Sequence, residues 1–132
     1  RFENGECFVA GKIGLGVAVD YALQIGMPAI EKRVAELGAA LRETLGTMAD
    51  VRVHEQGSRL SGIVTFNKQG IAATDLQMSL HAKGINTSVA RLASNQLDLA
   101  QRGLSDVNRA SVHYYNTFEE IARFGQAIAA VT

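Results

Sequence analysis

The sequence predicts a small α+β domain, an open and largely antiparallel sheet with helices on one face. Three observations point there. Helical spacing and strand-like alternation both occur along the chain, but they are mixed rather than strictly alternating. Pro28 is the only proline and no Ser/Gly/Pro-rich stretch interrupts the 132 residues, which therefore read as one domain, 1–132. Hydrophobic residues make up 47% and charged residues 20%, a globular balance that excludes a disordered tail.

The elements follow in order. Gly11 to Gly26 is apolar on nearly every side, with Ile13, Leu15, Val17, Tyr21, Leu23 and Ile25. As a helix it would be buried all round or packed against something large. Gly26-Met27-Pro28 breaks it, and Pro28 suits the first turn of a second helix. There Ile30, Val34, Leu37, Leu41, Leu45 and Met48 step by three or four while Glu31, Lys32, Glu36, Arg42 and Glu43 take other faces.

Val51 and Val53 alternate with Arg52 and His54, a short strand. Leu60, Gly62, Val64 and Phe66 alternate with Ser61, Ile63, Thr65 and Asn67, a second strand ended by Lys68-Gln69-Gly70. Thr74 is the expected N-cap of a short helix through Lys83, with Gly84 as its left-handed C′ residue. Ile85, Thr87 and Val89 share one face of a third strand. Residues 90–108 carry weak patterning and read as a long loop with one helical turn, and a loop of that length in a compact domain is often functional. Ala110, Val112 and Tyr114 alternate with Ser111, His113 and Tyr115, the fourth strand. Thr117-Phe118-Glu119-Glu120 has the form of a capping box. Ile121, Phe124, Ile128 and Val131 give the closing helix its apolar stripe.

Composition narrows the function. Thirteen Lys and Arg offset thirteen Asp and Glu, so there is no electrostatic footprint for nucleic acid or an anionic membrane. No apolar run approaches the roughly 18 to 20 residues of a membrane span, and the start at Arg1 lacks the charge-then-apolar form of a signal peptide. A single Cys7 excludes an internal disulfide and a cysteine-based metal site, so a reduced, cytoplasmic setting is the simpler reading. His54, His81 and His113 lack ligand spacing, and no metal site is expected.

Candidate chemistry is sparse. Gly11-Lys12-Ile13-Gly14-Leu15-Gly16 matches neither phosphate-loop form, and its glycines read as packing residues. Schiff-base catalysis needs a desolvated lysine, yet Lys12, Lys32, Lys68 and Lys83 all read as solvated. Cys7 stands beside Glu6, which would raise rather than lower its pKa, and reads as a packed thiol. His113, flanked by tyrosine, reads as a hydrogen-bonded structural histidine, and no nucleophile elbow is present. Arg109 is the exception. It is placed where the long loop meets the fourth strand, and a guanidinium fork held there suits a carboxylate, making two parallel charge-assisted bonds.

The run Arg109-Ala110-Ser111-Val112-His113-Tyr114-Tyr115-Asn116-Thr117-Phe118-Glu119-Glu120-Ile121 resembles the C-terminal signature of class V aminotransferases. This is the pyridoxal-phosphate group that includes cysteine desulfurases and isopenicillin N epimerase. Arg1-Phe2-Glu3-Asn4-Gly5 with Gly14-Leu15-Gly16-Val17-Ala18-Val19-Asp20-Tyr21 is similar to the segment where that family enters its C-terminal part. The resemblance spans nearly the whole chain. It implies the small C-terminal domain of a larger fold-type I enzyme, severed from its own large N-terminal domain, with Arg1 at the cut edge. The cofactor lysine would lie upstream, so the piece alone is expected to bind no cofactor and to be inactive. The parent is expected to be a cytoplasmic homodimer acting on amino acids. By the same resemblance Arg109, which opens the R-A-S…Y-N-T motif, is the residue that grips the substrate carboxylate.

Two departures shape the expectation. Cysteine desulfurases carry a nucleophilic cysteine in the loop before this motif, whereas Val89-Ala90-Arg91-Leu92-Ala93-Ser94-Asn95 has none. An aminotransferase-like or epimerase-like role is therefore favoured over desulfuration. Relatives also often read Gly-Thr-Pro near the front, with the threonine on a partner subunit's cofactor phosphate. Gly5-Glu6-Cys7 would place a carboxylate there, so no phosphate contact is carried over. The competing expectation is a free-standing α+β module that binds a small ligand or a protein without catalysis.

Overall fold

A computed structural model describes residue 5 and residues 7–132. The front motif residues Arg1, Phe2, Glu3 and Asn4, and the Glu6 set beside Cys7, lie outside the described residues. The chain divides into two compact units, residues 1–32 and 33–132.

In the first unit, helix α1 runs Val9–Ile25 and buries none of its residues. The apolar surface expected to be covered is open, with Ile13, Leu15 and Val17 all about two-thirds exposed. Gly26, at φ +95°, ends the helix, its N–H donating to the Ala22 carbonyl. Helix α2, Met27–Gly46, follows with Pro28 in its first turn. No single described helix is long and apolar enough to cross a membrane.

The second unit is the predicted layer. Strands β1 (Val51–Val53), β2 (Ile63–Lys68), β3 (Ser88–Ala90) and β4 (Val107–Ser111) form one sheet in the order β1-β2-β4-β3 with every pairing antiparallel. Helices α2, α3 (Ala73–Ala82) and α4 (Phe118–Ala129) supply the covering side chains. Leu37, Leu41 and Leu45 of α2, Leu76 and Leu80 of α3, and Ile121, Phe124 and Ile128 of α4 close on Val64, Phe66 and Ala110 of the sheet. The Phe124 ring meets Phe66 edge-on, centroids 5.9 Å apart. Burial of this apolar surface is what the two periodicities encode.

Helix α4 comes so close to α2 that a Cβ on Gly125 would lie 2.5 Å from Thr44 Cγ2. The predicted capping box is present: Thr117 Oγ1 accepts from the Glu120 N–H at 3.2 Å, and the Glu120 carboxylate accepts from the Thr117 N–H at 2.9 Å. The Asn116 amide chiefly, and then the Thr117 N–H, hold the Glu120 carboxyl below its ordinary range.

Several boundaries differ from the sequence expectation, each for a local reason. Thr74 is not the N-cap of α3; Ala72 is, and it makes no side-chain cap bond. Gly84, at φ +72°, is the expected left-handed residue, and its N–H donates to the His81 carbonyl while the Ile85 N–H reaches Leu80. Those two bonds form a Schellman closure. They keep Ile85 with the helix end, so β3 begins only at Ser88. Strand β2 starts at Ile63, leaving Leu60 and Ser61 outside it. Strand β4 begins earlier than expected and stops at Ser111. Beyond it the Asn116 side chain accepts the His113 N–H at 2.8 Å and the Asn116 N–H returns to the His113 carbonyl at 3.0 Å, which turns the chain out of the ladder. The long loop, residues 91–106, holds a 3₁₀ turn at Leu92–Ser94 and a π-type turn at Gln96–Ala100.

One lysine reading is overturned. Lys68 does not sit solvated in a turn; it is the last residue of β2, only 6% exposed, and its amine pairs with Asp50. Its stem faces the core side in register with Val51, and only the head reaches the rim.

Two tests follow from this packing. Alanine in place of a helical glycine ordinarily stabilises by about 1 kcal/mol, but Gly125→Ala is expected to destabilise the chain because Thr44 must move; urea denaturation reads the sign. Asn108, fully buried on the core side of β4, has neither amide atom hydrogen-bonded among the described residues. Asn108→Leu is expected to stabilise by about 1–3 kcal/mol by removing that unsatisfied group. A loss of stability would mean that the amide finds a partner in solution.

Candidate functional site

Antiparallel pairing decides which way each side chain of β4 points. Asn108 pairs with Phe66 and Val89, and Ala110 with Val64, so both face the helices. Arg109 between them faces away, opposite Thr65 on β2 and Ser88 on β3. It is the third residue of β4, inside the ladder rather than at the loop–strand junction where the sequence placed it. Both neighbouring strands hold its backbone, and its side chain is exposed.

The guanidinium makes one hydrogen bond, from Nε to Ser88 Oγ at 3.1 Å. Both terminal nitrogens lack a partner among the described residues. The positions around Arg109 on this side of the sheet are Ile63, Thr65 and Asn67 of β2, Ser88 and Ala90 of β3, and Val107 and Ser111 of β4. None is acidic, so the cation keeps its field for an incoming anion.

The 91–106 loop closes one end of this face. Val107 lies on the same side as Arg109 yet is 1% exposed, so the loop folds over it. Its neck is tied by Asp106, whose carboxylate accepts the Leu92 N–H at 2.8 Å. Asn67 donates through Nδ2 to the Asp106 carbonyl at 2.9 Å. Its Oδ1 is then left to accept from His54 Nε2 at 2.8 Å, which places the ring proton on Nε2. Arg102 anchors the loop a second time, donating to the His54 carbonyl and pairing with Asp98 at 3.1 Å. His54 is 8% exposed. Burial chiefly, with the charges of Arg52 and Arg102, pushes its pKa below the ordinary 6.5, against the opposing pull of the Asn67 bond.

The other sequence candidates lie elsewhere. His113 lies beyond β4 and is exposed, its ring 4.6 Å from Tyr114 and 5.0 Å from Tyr115 between centroids. Cys7 is a free, exposed thiol rather than a packed one. His54, His81 and His113 do not converge, and no group of three His, Cys, Asp or Glu suited to a metal occurs among the described residues. Lys12 and Lys32 are exposed, Lys68 pairs with Asp50, and Lys83 donates to the Ala127 carbonyl at 3.2 Å. Ser88, Asn67 and Asp106 were not singled out from sequence. Their roles depend on strand register, which a single sequence displays only as alternation.

A family profile described as Aminotransferase class-V matches residues 1–124. The chain belongs to the class V aminotransferase family. Pyridoxal phosphate is the cofactor of that family. A curated relative described as a probable cysteine desulfurase, from Xylella fastidiosa strain Temecula1, is 37% identical over 131 residues. They cover 99% of this chain and 31% of the relative. Another so described, from Methanothermobacter thermautotrophicus, is 31% identical over 136 residues, covering 99% of this chain and 34% of the relative. An apo cysteine desulfurase structure from Thermococcus onnurineus NA1 superposes with a TM-score of 0.86 at 27% identity, covering 97% of this chain and 32% of that one. The chain thus spans about a third of the length of the relatives it matches. Family members named for desulfuration stand beside a sequence whose 91–106 loop holds no cysteine.

No described residue fits the aldehyde end of the cofactor. That requires an unprotonated lysine in an enclosed site, and the one buried lysine, Lys68, is ion-paired.

The His54 latch makes stability depend on pH. Its folded pKa is depressed, so below 6.5 the unfolded chain takes up the proton before the folded chain does, and stability falls as pH falls. His54→Gln is expected to flatten that decline, measured as urea midpoints on either side of this pH.

Proposed function

We propose that this chain is the substrate-side, C-terminal domain of a larger pyridoxal-phosphate enzyme that acts on amino acids. The observation that carries the reading is Arg109: a guanidinium fixed in a doubly paired strand, on an open and acid-free face, with two free terminal nitrogens. Such a fork binds a carboxylate in one orientation and so presents the neighbouring carbon in one geometry. When bound, the cofactor supplies the electron sink at that carbon. Its anchoring lysine belongs to the large domain, and the 132-residue chain alone is inactive. The parent works as a cytoplasmic homodimer.

Within the family the reading favours transaminase- or epimerase-like chemistry, because the loop beside Arg109 offers no thiol to receive sulfur. The names of the relatives support a second reading, carbon–sulfur cleavage, in which sulfur passes to an acceptor other than this loop. The full-length enzyme given cysteine separates the two. Sulfide or persulfide release supports the second; loss or inversion of an amino group without sulfur release supports the first.

Arg109→Ala in the full-length enzyme is expected to raise KM for amino-acid substrates by about 100-fold, the scale of two lost charge-assisted hydrogen bonds. Unchanged steady-state kinetics would remove the assignment.

A further inference from the structure

Ser88 stands directly across the β3–β4 ladder from Arg109, in register, and its hydroxyl accepts the Nε–H at 3.1 Å. A guanidinium offers a carboxylate two bidentate edges. One uses Nε and a terminal nitrogen; the other uses both terminal nitrogens. With the Nε–H directed into Ser88, the first edge is occupied and the second faces outward. Thr65, in register on the other flank, makes no hydrogen bond to the guanidinium, so the hydroxyl on β3 alone sets the torsion of the side chain. The chain segment carrying Ser88 is itself held, since Gln77 of α3 donates to the neighbouring Thr87 carbonyl at 2.9 Å.

We infer that Ser88 is a positioning residue for substrate selection: it turns Arg109 so that a substrate carboxylate is gripped end-on, by the two terminal nitrogens. This rests on the proposed carboxylate role of Arg109. End-on binding sets the carboxylate plane along the guanidinium axis. Rotation of Arg109 would bring the side edge into play and displace the reacting carbon from the position that the first geometry gives it. A displacement of about 1 Å at the reacting centre can cost on the order of 100-fold in rate. Ser88 therefore governs how strongly the enzyme discriminates an amino acid from the amine that lacks its carboxylate. No covalent step is assigned to it.

The test measures kcat/KM in the full-length, cofactor-loaded enzyme for an amino acid and for the corresponding amine. The enzyme forms are wild type, Ser88→Ala, Ser88→Thr and Arg109→Ala. Ser88→Ala is expected to lower the acid-to-amine ratio by about 10-fold, the scale of one hydrogen bond to a charged group, through kcat as well as KM for the acid. Ser88→Thr keeps a hydroxyl on a strand and is expected to restore the ratio. Equal losses toward acid and amine in Ser88→Ala would mean only structural damage and would overturn the inference. An unchanged ratio in Ser88→Ala, with collapse in Arg109→Ala, would sink the role of Ser88 and leave that of Arg109 standing. An unchanged ratio in Arg109→Ala would instead overturn the carboxylate reading itself.

Discussion

Strand β4 is paired on both sides, and the rest of the second unit is arranged around that fact. A doubly paired antiparallel strand has no freedom to slip, because moving it one residue would exchange its two faces. Asn108 and Ala110 would then enter solvent and Arg109 would enter the core. Register is thus the constraint that protects the site: the burial of Val64, Phe66 and Ala110 against α2, α3 and α4 is what keeps the guanidinium outside. The capping box and the Asn116 turn secure the same strand from its far end by fixing where the chain leaves the ladder.

The helices were readable because their signals are local. Leu37, Leu41 and Leu45 repeat at four residues whatever lies opposite them, and Thr117 and Glu120 satisfy one another within a single turn. Strand ends were less readable because they depend on groups distant from the strand. The Schellman closure at Gly84 withholds Ile85 from β3, and the Asn116 amide turns residues 113–115 away from β4, although both stretches alternate as strands should. Lys68 shows the same limit: a lysine before a glutamine and a glycine reads as a turn, and only pairing with Val51 reveals that it lies on the core side.

At the site, Arg109 was legible through a family motif and through the geometry a fork can serve. Its surroundings were not. Ser88 lies 21 positions away along the chain, and nothing in the local pattern couples it to Arg109. Asn67 and Asp106 are 39 positions apart, and both are ordinary polar residues until the loop folds back over Val107.

The neck tied by Asp106 has an evolutionary consequence. Closing a longer or shorter loop across a fixed pair of ends changes the entropy only slowly, by about 0.6 kcal/mol for each doubling of length. Residues 91–106 can therefore be exchanged, lengthened or emptied of a reactive side chain while the ladder of Ala90 with Val107 stays intact. A fold of this kind separates the part that stays fixed from the part that diversifies. Lineages can replace the side chains carried on the loop without rebuilding the strand that carries Arg109.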